Sequence, residues 1–276
     1  MTGFVDLHIH SYYSDGTMSP KEIAADAKRR GVGIAAVCDH NMLEGSREFG
    51  VLCKDMGLGF IPGVEIDSLD GGVVLHHILG LGVDLYYPPF VSFIKRNRVM
   101  LDDISVKLIG KMSAALPDIS FSDYESFSYD RRLGGWKCLH YLVYKGLAES
   151  LQGGLEYYKE YGCPFSVVDF PSIQEVCAQV RSAGGLAVLA HPGETIKRFD
   201  KEAFESELER LISLELDGVE CYYPTHSEEV TQLCLKLCRK KDLIVTSGSD
   251  CHGSFGHTHI GEMGVTADML NLKGLI

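Results

Sequence analysis

Two histidines lie close together near the start of the chain, in the stretch DLHIHSYYSDGT at residues 6–17. Successive side chains of an extended strand face opposite sides, so His8 and His10 face the same side, about 6.6 Å apart along the strand. Two neutral imidazoles at this spacing can bind one metal ion, and histidine is the commonest metal ligand in proteins. A solvated strand without chemistry would carry the same pattern, so the rest of the chain has to decide between the two interpretations.

Further histidines and acidic residues lie at or just after the C-terminal ends of later predicted strands. They occur in AVCDHN (Asp39, His40), GVEID (Glu65, Asp67), VLHHILG (His76, His77), LAHPG (His191) and GSDCH (Asp250, His252). In a parallel α/β barrel these strand ends form one rim, where active sites are built. The chain has only 11 histidines, so independent accidents explain this pattern poorly. Mixed imidazole and carboxylate groups favour two or three divalent ions such as Zn, Mn or Fe.

Strand and helix patterns alternate over most of the chain, and they have to position these residues. FVDLHIH predicts a strand, SPKEIAADAKRRG predicts a helix with Ser19 as its N-cap, and GIAAVCDHN predicts a second strand. The alternation returns between SIQEVCAQVRSAGG and LIVTSGSDCHG. Repeated strand and helix units predict a parallel sheet wrapped by helices, closed into a barrel rather than left open.

The middle of the chain departs from this alternation. Between Tyr86 and Pro164 the patterns are helical, as in GGWKCLHYLVYKGLAES and GLEYYKEYG. We interpret residues 86–164 as a helical insertion subdomain, and residues 1–85 together with 165–276 as the barrel domain.

Composition and charge narrow the class of protein. The chain has 276 residues, 45% of them hydrophobic, which is typical of a globular protein with one large core. A formal charge of −12 disfavours stable binding to duplex DNA or to anionic lipid. The start MTGFVDLHIH lacks the pattern of a signal peptide, and no long apolar run follows, so we expect a cytoplasmic protein without a membrane span. Nine cysteines, an odd number, predict reduced and mostly buried thiols.

The motifs DLHIHSYYSDGT, CDHN, GVEI, HHILG, AHPG and GSDCHG, in this order, resemble those of the PHP (polymerase and histidinol phosphatase) family of metal-dependent phosphoesterases. HPG, DGVECYYPTHS and the helical insertion are similar to the small stand-alone branch typified by nucleoside 3′,5′-bisphosphate phosphatases. The resemblance implies an α/β fold, a distorted (β/α)₇ TIM-like barrel, around three divalent ions (Mn, Fe or Zn, with Mg possible). The implied ligands are His8, His10, Asp15, His40, Glu65, His77, His191, Asp250 and His252. Glu65 would bridge ions, whereas His76 matches no ligand position and Asp39 is expected to orient its neighbours.

The resemblance also implies a reaction. A metal-activated hydroxide would hydrolyse a phosphomonoester of a small nucleotide, and Asp15, His40 and His252 are candidates to donate a proton to the leaving oxygen. The alternatives are a 5′→3′ exonuclease on short oligonucleotides, a histidinol-phosphate phosphatase, and a metal-binding protein without catalytic activity.

Substrate choice is expected to depend on the insertion and the rim loops. Members of this branch resemble each other in an arginine and a histidine, near the start of an insertion helix, that bind a second phosphate. At the corresponding positions this chain has Gly135 and Lys137. The basic candidates for a phosphate contact are Arg131, Arg132, Lys137 and Arg198. Each could equally be a solvated surface charge. His226 could touch the substrate or cap the next helix, and Trp136 could stack on a base or only pack.

Overall fold

The structure is a computed structural model that describes residues 3–72, 74–197 and 200–276. The strands are β1 (Phe4–Ile9), β2 (Val32–Val37), β3 (Gly59–Phe60), β4 (Gly63–Asp70), β5 (Val74–Leu81), β6 (Leu186–Leu189), β7 (Gly218–Tyr222) and β8 (Ile244–Ser247). The α-helices are α1 (Pro20–Arg29), α2 (Glu44–Met56), α3 (Pro88–Ala115), α4 (Phe121–Ser126), α5 (Lys137–Tyr144), α6 (Leu151–Glu160), α7 (Ile173–Ser182), α8 (Pro192–Thr195), α9 (Lys201–Ile212) and α10 (Glu228–Lys241).

Helix α1 begins as the sequence predicts. The Ser19 side chain accepts the backbone N–H of Glu22, and the Glu22 carboxylate accepts the backbone N–H of Ser19. This reciprocal pair is a capping box, and Pro20 at the first helical position favours the same start. The buried face of α1, which includes Ile23 and Ala27, packs with apolar residues of β1 and β2.

The strands form two sheets. β1, β2 and β3 make a parallel three-stranded sheet, and β4 to β8 make a five-stranded sheet in sequence order. Strands β6, β7 and β8 are parallel, but β5 runs antiparallel to both β4 and β6. β4 ends at Asp70 and β5 begins at Val74, so the connection is too short for a helical crossover. The prediction of a wholly parallel sheet is therefore wrong at β5.

The two sheets pack together around a shared apolar cluster. Leu7 and Ala36 contribute from the first sheet, and Leu79 and Val188 contribute from the second. Single β-bridges also join them, between His40 and Glu65 and between Ile9 and Cys251. The α/β class is confirmed, whereas closure into a TIM-like barrel stays a prediction, because no continuous ladder links the sheets within the described residues.

The helices between β5 and β6 have an apolar cluster of their own. Leu108 and Met112 of α3 pack there with Tyr141 of α5 and Tyr158 of α6. Leu69 of β4 belongs to the same cluster, which anchors the helices on the second sheet. The division into residues 86–164 and the remaining chain stays a prediction that this packing supports.

All nine cysteines are buried free thiols, as the sequence predicts. In the part of the chain that the structure describes, no helix combines the length and the apolar character needed to cross a membrane.

Candidate metal centre

The nine predicted ligands meet at one place, at the ends of strands from both sheets. Together with Asp67 they form four overlapping groups, and the potential ligand atoms within each group lie within 4.8 Å of one another. The groups are His10, Asp15, His40 and His252; His8, Glu65 and His191; His8, His10 and Asp250; and His40, Asp67 and His77. Their convergence agrees with the prediction, and metal binding by each residue stays a prediction.

Glu65 on β4 lies in the middle of these groups and is buried. Its carboxylate oxygens face imidazole nitrogens at 3.0 to 3.3 Å. Those nitrogens belong to His8, His10 and His40 around Oε2, and to His77 and His191 around Oε1. The two oxygens of Glu65 thus face different sets of histidines, and its role as a bridge between ions stays a prediction.

Hydrogen bonds at the outer nitrogens orient two of the rings. His8 Nδ1 lies 3.2 Å from Glu220 Oε1, and His252 Nδ1 lies 2.8 Å from the carbonyl oxygen of Asp250. Oxygen atoms of these kinds only accept, so in the neutral ring each Nδ1 carries the proton and each Nε2 presents a lone pair to the interior. The Nε2 atoms of His8 and His10 are 3.1 Å apart. Converging lone pairs are typical of a metal site.

Buried carboxylate oxygens provide a test of whether divalent ions fit here. Asp15 Oδ1, Glu65 Oε2 and Asp250 Oδ1 are buried, and none has a hydrogen-bond partner among the described residues. Burying charged oxygen atoms without partners is costly, and a divalent cation removes that cost. The donor set of imidazoles and carboxylates therefore fits ions such as Zn, Mn or Fe.

Charges within the centre shift its pKa values strongly. Burial opposes ionisation of Glu65, but the histidines around it, His40 and His8 foremost, outweigh burial and hold the pKa of Glu65 well below its usual range. Burial also disfavours protonated His10, yet the carboxylates of Asp250 and Glu65 outweigh it and raise the pKa of His10 to about 10. His10 of the metal-free protein thus holds a proton that competes with metal ions.

Asp67 and Glu220 contact predicted ligands but were not predicted as ligands. The sequence places Asp67 on the rim, two residues after Glu65 and on the same face of β4. Asp67 Oδ1 lies 3.2 Å from His77 Nε2, and its other oxygen accepts a hydrogen bond from Asn41. Glu220 lies in the middle of β7, where no spacing typical of ligands marks it.

Asp39 and His76 lie where the sequence predicts. Asp39 accepts hydrogen bonds from the backbone N–H of Ser11 at 2.8 Å and from the hydroxyl of Ser14 at 2.6 Å. It thereby holds the loop that leads to Asp15. His76 is buried and belongs to none of the four groups in the described chain.

A cavity of about 610 Å³ lies beside the centre, between the rim and the insertion. Trp136 lines it, and the Trp136 and His40 ring centroids are 5.9 Å apart. Tyr129 and Arg98 also line the cavity, and the Arg98 guanidinium carbon lies 4.9 Å from the centroid of the Trp136 ring. The cavity thus places an aromatic face and a cation next to the candidate metal ligands.

The basic candidates for substrate binding differ in position. Arg131 and Lys137 line this cavity. Arg132 instead lines a different cavity and pairs with Glu22 at 2.7 Å. Arg198 lies outside the described residues. Their contact with substrate stays a prediction, and the geometry favours Arg131 and Lys137 over Arg132.

His226 has both ring nitrogens engaged within the protein. Nδ1 lies 3.1 Å from the carbonyl oxygen of Cys221, and Nε2 accepts the backbone N–H of Gly193 at 3.0 Å. Burial lowers the pKa of His226, which agrees with a neutral ring in these two bonds. This geometry favours a structural role in the turn after His191 over the predicted substrate contact.

Gly135 departs from the arginine expected at its position, and the structure gives a physical reason. Its φ is +67°, which side chains rarely adopt, and a Cβ there would lie 3.3 Å from the Phe255 ring. Its backbone N–H donates to the carbonyl oxygen of Asp15 at 2.8 Å. A glycine therefore lets the insertion approach the loop that carries a candidate ligand.

Comparisons with known proteins agree with this site. A family model described as "PHP domain" matches residues 6–244. A 5'-3' exoribonuclease of Haemophilus influenzae is 26% identical, with 95% of this chain and 94% of the relative covered. A phosphoribosyl 1,2-cyclic phosphate 1,2-diphosphodiesterase of Eggerthella lenta is 28% identical, with 93% of this chain and 97% of the relative covered. A 3',5'-nucleoside bisphosphate phosphatase of Chromobacterium violaceum is also 28% identical, with 92% of this chain and 91% of the relative covered. A solved structure from Bifidobacterium adolescentis, described as a metal-dependent phosphoesterase, has a TM-score of 0.73 at 26% identity, with 94% of this chain and 91% of that chain covered.

Proposed function

The chain belongs to the PHP domain family of metal-dependent hydrolases, and from that premise we propose that its substrate is a small nucleotide of the nucleoside 3′,5′-bisphosphate type. The reaction would release one phosphate from a phosphomonoester. The observation that carries this proposal is the cavity beside the centre, which combines an aromatic wall with an incompletely paired arginine.

The aromatic wall of the cavity supports a nucleotide substrate. Trp136 and Tyr129 line a volume of about 610 Å³, which is within the usual range for small-molecule sites. Bases stack on such rings in many nucleotide-binding proteins, and stacking is worth roughly 1–3 kcal/mol per base. Trp136 also neighbours His40, so a base on this wall would lie close to the centre.

Arg98 supports a second phosphate on that nucleotide. Its Nε and Nη2 donate to Asp102 at 3.0 and 2.7 Å, whereas its buried Nη1 has no hydrogen-bond partner in the described chain. Arg98 lines the cavity, and a guanidinium with N–H groups to spare is well suited to an anionic oxygen. Arg98 would thus take the role that the family gives to an arginine at the position of Gly135.

We propose three divalent ions, held by the nine predicted ligands with Glu65 as the bridge. The four overlapping groups share His8, His10 and His40, and shared ligands are typical of a multinuclear centre. When bound, such ions lower the pKa of a water molecule toward neutrality and neutralise charge on the phosphate.

Of the three candidates Asp15, His40 and His252, we propose His252 as the group that donates a proton to the leaving oxygen. Burial opposes ionisation of Asp15, but His252 and His40 outweigh burial and hold the pKa of Asp15 well below its usual range, so Asp15 has no proton to give. Burial lowers the pKa of His40, which leaves that ring neutral. His252 Nε2 faces Asp15 Oδ1 at 3.4 Å. Burial disfavours protonated His252, but the Asp15 carboxylate helps to raise the pKa of His252. His40 and His252 are partly exposed, whereas Asp15, His8 and His10 are buried, so His252 lies on the side open to substrate.

A phosphate-release assay with metal-reconstituted protein tests this function. We expect release from adenosine 3′,5′-bisphosphate to exceed release from adenosine 5′-monophosphate. Arg98→Ala should lower kcat/KM for the bisphosphate roughly 10- to 100-fold and change the monophosphate little, because only the bisphosphate has a group for Nη1. Arg96→Ala is the matched control and should leave both values unchanged, because Arg96 lies on the same helix but pairs with Glu175 away from the lining of this cavity. Equal losses for both nucleotides would contradict the assignment to Arg98.

A 5′→3′ exonuclease on short oligonucleotides is the second candidate, favoured by the similarity to the Haemophilus influenzae exoribonuclease. A 5′-phosphorylated, end-labelled oligoribonucleotide discriminates between the two. Progressive shortening faster than phosphate release from the bisphosphate would favour the exonuclease. Histidinol phosphate and a ribose 1,2-cyclic phosphate belong in the same panel, the latter because of the Eggerthella lenta relative.

A further inference from the structure

Strand β7 contains none of the predicted ligands, yet one side chain from its middle and one from the residue after it contact three of them. Glu220 is buried, with Oε1 3.2 Å from His8 Nδ1, and its Oε2 accepts the backbone N–H of His191 at 2.8 Å. Just after β7, the Tyr223 hydroxyl donates to Asp250 Oδ2 at 2.9 Å. Each contact lies on the outer side of a candidate ligand.

The contact with His8 determines which ring nitrogen faces the centre. An ionised carboxylate can only accept a hydrogen bond, so His8 Nδ1 has to donate to Glu220. His8 Nε2 then has its lone pair directed inward, where it lies 3.3 Å from Glu65 Oε2. Without the Glu220 carboxylate the ring would be free to place its proton on Nε2, which cannot bind a metal in that form.

The contact with His191 holds a backbone conformation that is otherwise unfavourable. His191 has a φ of +28°, a value that residues other than glycine rarely adopt. Such conformations persist only where the surroundings hold them. The N–H of this residue is bound by Glu220, and the next turn is bound by His226 through Gly193.

Gly248 fixes the position of the Glu220 carboxylate. A Cβ at Gly248 would overlap both Glu220 Oε1 and the Cβ of His8, so these groups are packed closely. Glu220 therefore has a defined place between the two candidate ligands rather than one of several rotamers.

We propose that Glu220 is a positioning residue, which selects the metal-binding tautomer of His8 and holds the His191 turn in its ligand conformation. The inference rests on the proposed metal centre and is independent of the substrate. In this proposal β7 orients two candidate ligands, His8 on β1 and His191 just after β6.

Glu220→Gln tests this role with almost no change in size. A carboxamide has one acceptor oxygen and one donor nitrogen, so it can accept from His8 or from His191 but not from both. Zinc affinity, measured by competition with a chromophoric chelator, should fall roughly 10- to 100-fold, the usual range for loss of such outer contacts. Asp217→Asn is the matched control. Asp217 immediately precedes β7, and its carboxylate also accepts a backbone N–H, that of Ala187.

Two further measurements separate orientation from a loss of folding. In the zinc-loaded wild type, ¹⁵N NMR should show a slowly exchanging Nδ1–H on His8, and Glu220→Gln should weaken or remove its hydrogen bond. The cobalt-loaded variant should show altered absorption bands, whereas Asp217→Asn should match the wild type.

The possible outcomes distinguish the role of Glu220 from the metal centre and from the proposed function. Wild-type zinc affinity and cobalt bands in Glu220→Gln, or a wild-type His8 without a proton on Nδ1, would overturn the role of Glu220. The NMR measurement on the wild type decides the question even if the variant does not fold. A wild type that binds no divalent ion would overturn the metal centre and this inference together, whereas absent phosphatase activity with normal zinc binding would affect only the proposed function.

Discussion

His10 illustrates how the charge of single residues connects metal binding to pH. Its imidazole lies 3.0 Å from Asp250 Oδ1 and 3.2 Å from Glu65 Oε2. Burial opposes its charge, but these carboxylates raise the pKa of His10 to about 10. A divalent ion needs the neutral ring and therefore has to displace this proton.

We expect the apparent metal affinity to rise with pH from about 6.5 toward the raised pKa of His10. Calorimetry in buffers with different ionisation enthalpies should show proton release on metal binding at pH 7.5. The folding stability of the metal-free protein depends on pH in the opposite direction. Its raised His10 pKa contributes stability that is fully present below the unfolded pKa and is lost as the pH rises toward 10. Metal binding without proton release at pH 7.5 would contradict this prediction.

Residue types and strand ends sufficed to predict that donor side chains converge at one rim, whereas the choice of nine ligands among them came from the family resemblance. His8, Glu65, His191 and Asp250 are far apart in sequence, but each is a donor at the end of a strand or within one. Glu220 escaped prediction, because hydrogen bonding to a ligand requires no spacing in the sequence. Arg98 escaped prediction for a similar reason, since only folding places Trp136 against its guanidinium.

At the scale of elements, local signals predict the start of α1 well. The side chains of Ser19 and Glu22 each accept the backbone N–H of the other residue, and the two residues are only three positions apart in the sequence. Ser19→Ala should lower the free energy of unfolding by about 1 kcal/mol, because the first turn loses its cap. Urea unfolding of the metal-free protein measures this change.

Ser113→Ala is the control for that variant, since Ser113 lies inside α3 and its hydroxyl bonds only within its own helix. Its free energy of unfolding should stay within about 0.5 kcal/mol of the wild type, because alanine is favourable inside helices. A Ser19→Ala variant as stable as Ser113→Ala would contradict the role of the capping box.

Local sequence signals do not predict whether β5 runs parallel or antiparallel to its neighbours. The sequence VLHHILG predicts a strand correctly, but periodicity is the same in parallel and antiparallel strands. Only the short connection after Asp70 determines that β5 turns back along β4. The antiparallel pair places His77 opposite Asp67, which brings Asp67 into the centre.

For the whole molecule, the centre joins the two sheets. His8 and His40 come from the first sheet, whereas Glu65 and His191 come from the second. Metal ions that bind these residues should therefore stabilise the packing of one sheet on the other in addition to serving the reaction.

Removal of the ions should lower the thermal stability of the entire fold. An ion at 100 times its Kd contributes about 2.7 kcal/mol to the free energy of unfolding. For a chain of this size that corresponds to a fall in Tm of about 5 to 10 °C on chelation. Differential scanning calorimetry with and without a chelator measures the shift, and addition of Mn or Zn should reverse it. An unchanged Tm in a protein shown to bind the ions would contradict a centre that holds both sheets.

The N-terminal strand also depends on the last quarter of the sequence, since Asp6 accepts the backbone N–H of Ser249, 243 positions later. Asp250 and His252 follow His8 and His10 by about 240 positions, so a nascent chain holds only part of the cluster until residue 252 has been synthesised. The barrier to folding therefore includes bringing these two distant segments together.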